Sequence, residues 1–344
     1  MADLRTIIAQ VAGGASLDRA TAREAFDILM SGEATPAQIG GLLMALRVRG
    51  ETVEEITGAV ETMRARMLRV DAPAAAIDVV GTGGDAKGSY NVSTCAAFVV
   101  AGAGVPVAKH GNRAASSKAG SIDVLEALGV AVELGPAGVA RCIEEVGIGF
   151  CFAPRYHSAL RHAGPVRREL GVPTTFNFLG PLANPAGARR QTIGVGDAAM
   201  AERMVATLVE LGTERALVFF GHDGLDELTT TTTSAVWEIV DGEVHFSNLD
   251  PTELGIPLAV PEDLVGGDPT ANARLAKAIL DGEPGPRRDI IVLNAAAALL
   301  AAAVVTDWPS GLEAATASLA SGRAAAALEG LVKVSREAAE QEAG

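Results

Sequence analysis

A chain of 344 residues, 49% hydrophobic and 20% charged, is long enough for a sizeable core and reads as globular rather than disordered. A formal net charge of −14 excludes a general phosphate-backbone binder, whose affinity rests on clustered Lys and Arg. Only 4% of the residues are aromatic, and alanine and glycine supply much of the apolar fraction, which favours close-packed helices and tight turns.

The first seventy or so residues read as helical. Thr35-Pro36-Ala37-Gln38 combines a hydroxyl N-cap, proline at the first helical position and a Gln that completes a capping box. Ile39, Leu42, Leu43 and Leu46 then repeat at helical spacing. A second capping box at Thr52-Val53-Glu54-Glu55 precedes the stripe Ile56, Val60, Met63 and Met67. A small helical bundle is the economical reading of residues 1–72.

From Ala74 the texture changes to short apolar runs alternating with helical segments. Ala76 to Val80 reads as a strand, Gly81 to Asp85 as its exit loop and Thr94 to Ala103 as a helix. Val105 to Ala108 is the next strand, followed by a loop and a helix over Asp123 to Leu128. A strand at Val130 to Leu134, a helix at Ala137 to Val146 and a strand at Ile148 to Phe152 continue the pattern. This alternation argues for an α/β domain with a mainly parallel sheet over residues 73–344. Residues 154–190 break the rhythm, being basic and carrying Pro165, Pro173, Pro181 and Pro185, and read as a partly helical connection between domains. A helix at Ala199 to Leu211, a strand at Ala216 to Gly221 and a hairpin at Ser234 to Phe246 turning at Asp241-Gly242 follow. From Asn272 to Glu340 alanine-rich helix dominates.

Cys95, Cys142 and Cys151 form neither a CxxC pair nor a metal cluster and read as buried thiols. Met1 to Val11 lacks a secretory signal pattern. The longest apolar run, Ile291 to Val305, holds Asn294 and falls short of the ~20 residues a membrane span needs. The expectation is a cytoplasmic, soluble protein without membrane or nucleic-acid partners.

Two cationic islands stand out in this acidic chain: Lys109, His110, Arg113 and Lys118, then Arg155, His157, Arg161, His162, Arg167 and Arg168. The first follows a strand end, where open α/β sheets bind ligands, and mixes cations with Gly111, Ala114, Ala115, Ser116 and Ser117. Gly81, Gly83 and Gly84 sit on a strand-to-helix loop, where backbone N–H groups can approach phosphate oxygens. That loop matches neither the dinucleotide nor the nucleoside triphosphate fingerprint. Asn91, Ser93 and Thr94, near the next helix start, suit either capping or a phosphate and Mg²⁺. Asp226 and Glu227 lie past another strand end, and adjacent carboxylates are hard oxygen ligands of the kind Mg²⁺ uses beside substrate phosphates.

Together these motifs resemble the anthranilate phosphoribosyltransferase family over most of the chain. The resemblance runs through Gly81-Thr82-Gly83-Gly84-Asp85, Asn91-Val92-Ser93-Thr94, Lys109 to Ser121, Val166-Arg167-Arg168, Asn177 to Pro185 and Gly224-Leu225-Asp226-Glu227. It implies a helical domain hinged to a larger α/β domain, with the site in the cleft, a return segment of the helical domain at about 165–190, and a homodimer through that domain. It further implies that Gly81, Gly84, Asp85, Ser89, Asn91, Val92, Ser93 and Thr94 hold phosphoribosyl pyrophosphate (PRPP). Lys109, His110, Gly111, Asn112, Arg113, Ala114, Ala115, Ser116, Ser117 and Ser121 would continue that cradle. By the same resemblance Gly81, Asn112 and Arg167 contact anthranilate, and Ser93, Asp226 and Glu227 bind two Mg²⁺ ions. No general base is assigned. Ala114, Ala115 and Tyr156 depart from the family pattern, and Tyr156 is expected to alter access for the aromatic substrate. The alternatives are a pyrimidine nucleoside phosphorylase of the same architecture and a non-catalytic nucleic-acid-binding paralogue, which the charge and the acidic pair oppose.

Overall fold

The computed structural model describes residues 3–83, 88–114 and 118–344. The chain opens with helices α1 (Leu4–Ala12), α2 (Arg19–Ser31), α3 (Pro36–Arg49) and α4 (Val53–Arg66). Both expected capping boxes form: the Thr35 hydroxyl accepts from Gln38 N at 3.3 Å, and the Thr52 hydroxyl accepts from Glu55 N at 3.3 Å. Glu55 does more than cap, because its buried carboxylate also accepts from Leu17 N at 2.8 Å and pairs with Arg49. One side chain thereby ties the start of α4 to the turn before α2.

The second part follows as β1 (Ile77–Gly81), α5 (Val92–Gly102), β2 (Val107–Gly111), α6 (Ser121–Leu128), α7 (Pro136–Val146) and β3 (Ile148–Phe152). The crossing segment holds the short helices α8 (Ala153–Tyr156), α9 (Gly164–Leu170) and α10 (Phe176–Leu182). After it come β4 (Arg190–Gly194), α11 (Ala198–Glu210), β5 (Arg215–Gly221), β6 (Ser234–Val240), β7 (Glu243–Leu249), α12 (Pro269–Leu280), α13 (Pro286–Ala301), α14 (Trp308–Ala320) and α15 (Arg323–Ala343).

The sheet has seven strands in the order β3-β2-β1-β4-β5-β6-β7. The pairs from β3 through β5 are parallel, and β6 and β7 add an antiparallel edge. From β1 the chain winds outward to β2 and β3, then returns to the other side of β1 and winds outward through β4 and β5. That reversal makes the β1/β4 boundary a topological switch point, where neighbouring connections leave in opposite directions and open a crevice at the carboxyl ends of the strands.

Two expectations fail here. Val130 to Leu134 is not a strand: Val130, Val132 and Leu134 are buried against the core, but the segment lies outside the sheet ladder and Ala131 N donates instead to Ser335 Oγ at 3.0 Å. Conversely, β4 is central to the sheet yet lay inside and just beyond the stretch read as a connection. The hairpin is as expected, with Asp241 at φ 49° and Gly242 at φ 88°, the two left-handed positions that a tight turn of this kind needs.

The core divides in two. One cluster fills the space between the sheet and α5, α7, α13, α14 and α15. The other joins α1 to α4 with Val166, Phe176, Leu179 and Leu182 of the crossing segment and with Ile193, Met204, Leu208 and Val218 around β4, α11 and β5. The linker between the parts is pinned by Leu68 N donating to Tyr156 O at 2.9 Å and Val70 N donating to Pro185 O at 3.1 Å.

Candidate active site

Gly81 ends β1 and Gly194 ends β4, side by side at the switch point. Asp226 sits against both. A methyl group on Gly194 would lie 2.5 Å from the Asp226 carbonyl carbon and closer still to its oxygen, and one on Gly81 would overlap the Asp226 carboxylate. Glycine is required at both positions by this close approach, since neither has a positive φ. The Asp226 carboxylate accepts a hydrogen bond from Gly83 N at 2.7 Å, so the acidic loop and the glycine loop are in direct contact although 143 positions separate them.

Glu227 reaches the next element. Its carboxylate accepts from Ser93 N at 3.1 Å, in the first turn of α5, where the helix dipole favours negative charge. Asn91 does not cap α5: its Oδ1 accepts from Asn272 Nδ2 at 3.0 Å and its Nδ2 donates to Ala119 O at 3.2 Å. Val92 is buried, and the Thr94 hydroxyl is buried without a hydrogen-bond partner among the described residues. Ser89 lies on a short bridge to Val265, which holds residues 88–90 against 264–266.

Beneath the strand ends runs a buried polar chain. Lys109 is 2% exposed, and its ammonium group donates to Val79 O and, at 3.3 Å, to Ser93 Oγ. Burial pushes its pKa down, while Asp78, Glu227 and Asp226 pull it back. Asp78 is fully buried and accepts from His110 N at 3.0 Å and Asn184 Nδ2 at 2.7 Å. Burial raises Asp78 to about 6 against the attraction of Lys109. His110 Nδ1 lies 2.9 Å from Gly180 O, which places the ring proton on Nδ1 because a carbonyl can only accept. Burial lowers His110 to about 4, so the ring is neutral at pH 7.

The loop after β2 is fastened by α6. Asp123 accepts from Ala114 N at 3.0 Å and Gly120 N at 2.9 Å, and Ser121 Oγ donates to Asn112 O at 3.2 Å. Arg113 turns toward α6, pairing with Asp123 and Glu126, and stacks over Phe152 at 5.3 Å. Across the cleft, the half-buried Arg167 donates to Asn177 Oδ1 at 3.2 Å and covers the Phe176 ring at 5.4 Å. Gly84, Asp85, Ala115, Ser116 and Ser117 lie outside the described residues. Tyr156 does not face an access path: it is buried in the core, and its hydroxyl donates to Leu134 O at 3.0 Å.

Several positioning residues carry no motif. Asn294 of α13 accepts from Leu228 N at 3.0 Å and donates to Leu228 O at 2.9 Å, which holds the residue following Glu227. A lone Asn in an apolar run was the one visible signal. Asn272, whose Oδ1 also accepts from Gly267 N at 2.7 Å, orients Asn91, and Asp223 gathers Leu225 N and the hydroxyls of Thr229 and Thr231. His157 packs its ring 5.0 Å from that of His110.

The donor set fits Mg²⁺ bound beside phosphate. Two carboxylates and a serine hydroxyl meet at a crevice where glycine backbone leaves room, and Mg²⁺ takes few protein oxygens because it keeps waters and phosphate ligands. Among the described residues no cluster of three or more His, Cys, Asp and Glu side chains forms a metal cage.

Fold and site define a two-domain glycosyl transferase. Residues 5–67 match the glycosyl transferase family helical bundle domain, and residues 73–325 match the glycosyl transferase family a/b domain. The chain is 57% identical to the anthranilate phosphoribosyltransferase of Chelativorans sp. (strain BNC1), covering 97% of this chain and 99% of the relative. It is similar to the crystal structure of the Thermus thermophilus enzyme of that name, with a TM-score of 0.90 and 45% identity over 96% of this chain and 99% of the other. The Saccharomyces cerevisiae enzyme in complex with PRPP and Mg is similar with a TM-score of 0.89 and 27% identity, over 97% and 98% of the two chains. The chain belongs to the anthranilate phosphoribosyltransferase family, whose members serve tryptophan biosynthesis by transferring the phosphoribosyl group of PRPP to anthranilate.

Proposed function

We propose that the crevice at β1/β4 joins the amine of anthranilate to C1 of PRPP and releases pyrophosphate, with its two walls dividing the work. The observation that carries this reading is the meeting of Asp226 with Gly83 N and of Glu227 with Ser93 N at the switch point. Asp226, Glu227 and Ser93 hold two Mg²⁺ ions, which supply positive charge to the departing pyrophosphate. Gly81, Gly84, Asp85, Ser89, Asn91 to Thr94, Lys109 to Ser117 and Ser121 cradle PRPP. Within that set Val92 and Thr94 serve through their backbone and the helix dipole, because their side chains are buried.

Lys109 contributes a buried positive charge beneath the phosphate oxygens, where low polarity makes it more effective than in water. Arg167, with Gly81 and Asn112, orients anthranilate through paired hydrogen bonds to its carboxylate. The aromatic amine is neutral at pH 7, so no strong base is assigned. His110 and His157, held neutral by burial, pack ring against ring at 5.0 Å on the buried side of the crossing segment.

In this reading residues 1–72 with a return segment at 165–190 form the helical domain and residues 73–344 the α/β domain, a division supported by the separate family matches to 5–67 and 73–325, while the core of the helical part extends into β4, α11 and β5. Closure of one on the other excludes water around PRPP. A homodimer through the helical domain is part of this reading, on the family resemblance. Cytoplasmic placement is supported by the free, buried thiols of Cys95, Cys142 and Cys151. No helix among the described residues is long and apolar enough to cross a membrane.

The test is loss of anthranilate fluorescence with PRPP and Mg²⁺, alongside Asp226→Ala with Glu227→Ala. The double variant is expected to lower kcat and to flatten the Mg²⁺ titration. An unchanged Mg²⁺ titration would remove the acidic pair from the site.

A further inference from the structure

A cavity of about 380 Å³ lies between α6, α12 and α15 and shares no residue with the crevice at β1/β4. Leu128, Ala273, Leu328 and Val332 give it an apolar lining, and its volume is that of a small-ligand pocket. Arg274 and Lys277, three positions apart on one face of α12, stand at its mouth, exposed and outside every ion pair of the described residues. The opposite wall carries one carboxylate, Glu329. Two cations against one anion favour a single negative charge and oppose a dianion such as phosphate. An apolar body with one carboxylate matches both the lining and the mouth.

The cavity is mechanically joined to the loops of the site. Its floor residue Ala273 packs with Ala119 and Val124 in a small core of their own, with Leu128 against it. Ala119 O accepts from Asn91, and Asn91 is held in turn by Asn272, the neighbour of Ala273 on α12. The other wall, α6, carries Asp123, which fastens the loop after β2 through Ala114 N and Gly120 N. A body lodged between α6 and α12 therefore touches the two helices that carry both fastenings.

We propose that this cavity is a second ligand site, which takes a small apolar monocarboxylate and, when filled, loosens the loops at the α5 and α6 starts. The coupling to PRPP rests on the function proposed above, whereas binding itself does not. The test is calorimetric titration of the full chain with 3-phenylpropionate and with the uncharged 3-phenylpropan-1-ol. Because Arg167 also faces an aromatic carboxylate, each titration is repeated in Arg167→Ala, in Arg274→Ala with Lys277→Ala, and in Ala127→Trp, which fills the mouth from an exposed position.

The acid is expected to bind wild type and Arg167→Ala alike, and to lose at least about tenfold in affinity in the other two variants, with the alcohol binding correspondingly weakly. In wild type the acid is expected to raise the KM for PRPP several-fold, and that effect is expected to vanish in Ala127→Trp. Binding that disappears in Arg167→Ala but survives in the α12 variant would overturn the site. Binding with an unaltered KM for PRPP would overturn the coupling, and a transferase-inactive protein that still binds the acid would isolate failure of the functional reading from failure of this one.

Discussion

Gly194→Ala tests the geometry at the switch point with a single methyl group. The added carbon would stand 2.5 Å from the Asp226 carbonyl carbon and 3.1 Å from the Phe219 ring, in a strand whose neighbours on both sides are paired. The limiting contact is the Asp226 carbonyl oxygen, 1.7 Å from the added carbon; non-bonded carbon and oxygen rest at about 3.2 Å, so the Asp226 backbone must retreat by about 1.5 Å. Two consequences have different sizes. Overpacking costs about 1–3 kcal/mol of stability, which lowers the thermal midpoint by several degrees and leaves the protein folded. A displacement of that size at a reacting centre costs about a hundredfold in rate. The assay is kcat/KM for PRPP across a Mg²⁺ titration, with Gly180→Ala, where added carbon meets nothing within 4 Å, as the control. The control is expected to behave as wild type, while Gly194→Ala needs more Mg²⁺ and turns over about a hundredfold more slowly. Activity within a factor of two of wild type would refute the argument that the strand ends position Asp226.

Asn272→Ala strips the partners of Asn91 and Gly267 N and is expected to cost about 1–3 kcal/mol in a urea titration and to raise the KM for PRPP more than that for anthranilate. Arg167→Ala is expected to do the reverse, raising the KM for anthranilate, and equal effects on both substrates would count against its carboxylate role. Stability is expected to fall as pH drops from 6.5 toward about 4, because burial holds His110 at about 4 and His157 at about 3, and the unfolded chain takes up protons the native one refuses. Asp78, raised by burial to about 6, opposes them, since the native state keeps a proton there that the unfolded chain releases. A tenfold change in an acidity constant between the folded and unfolded chain is worth about 1.4 kcal/mol, so the two histidines outweigh the one carboxylate. Urea midpoints measured across this range check the sign, and His157→Gln should make the decline shallower; a midpoint that rises on acidification would contradict it.

What the amino-acid order by itself determined is whatever depends on neighbours a few positions away. The capping boxes at Thr35 and Thr52 and the turn at Asp241-Gly242 are local and appear where expected, and the alternation after residue 74 appears apart from the strand expected at Val130 to Leu134 and the missed β4. The motif residues around Gly81, Lys109 and Asp226 were legible too, because glycine, cations and paired carboxylates are unusual at strand exits. What only the tertiary structure decided is which of these meet. The sheet order sets β4 beside β1, and that placement brings Asp226 to Gly83 and Glu227 to Ser93 across the crevice. It also turned Val130 to Leu134 away from the sheet and gave Arg190–Gly194 a central place in it, since apolar runs specify burial and not the ladder they join. The partners of Asp78, Asn184, Asn272 and Asn294 were not legible for the same reason. Each satisfies a backbone or side-chain group far away in the chain, and a hydrogen bond between distant residues leaves no period in the sequence.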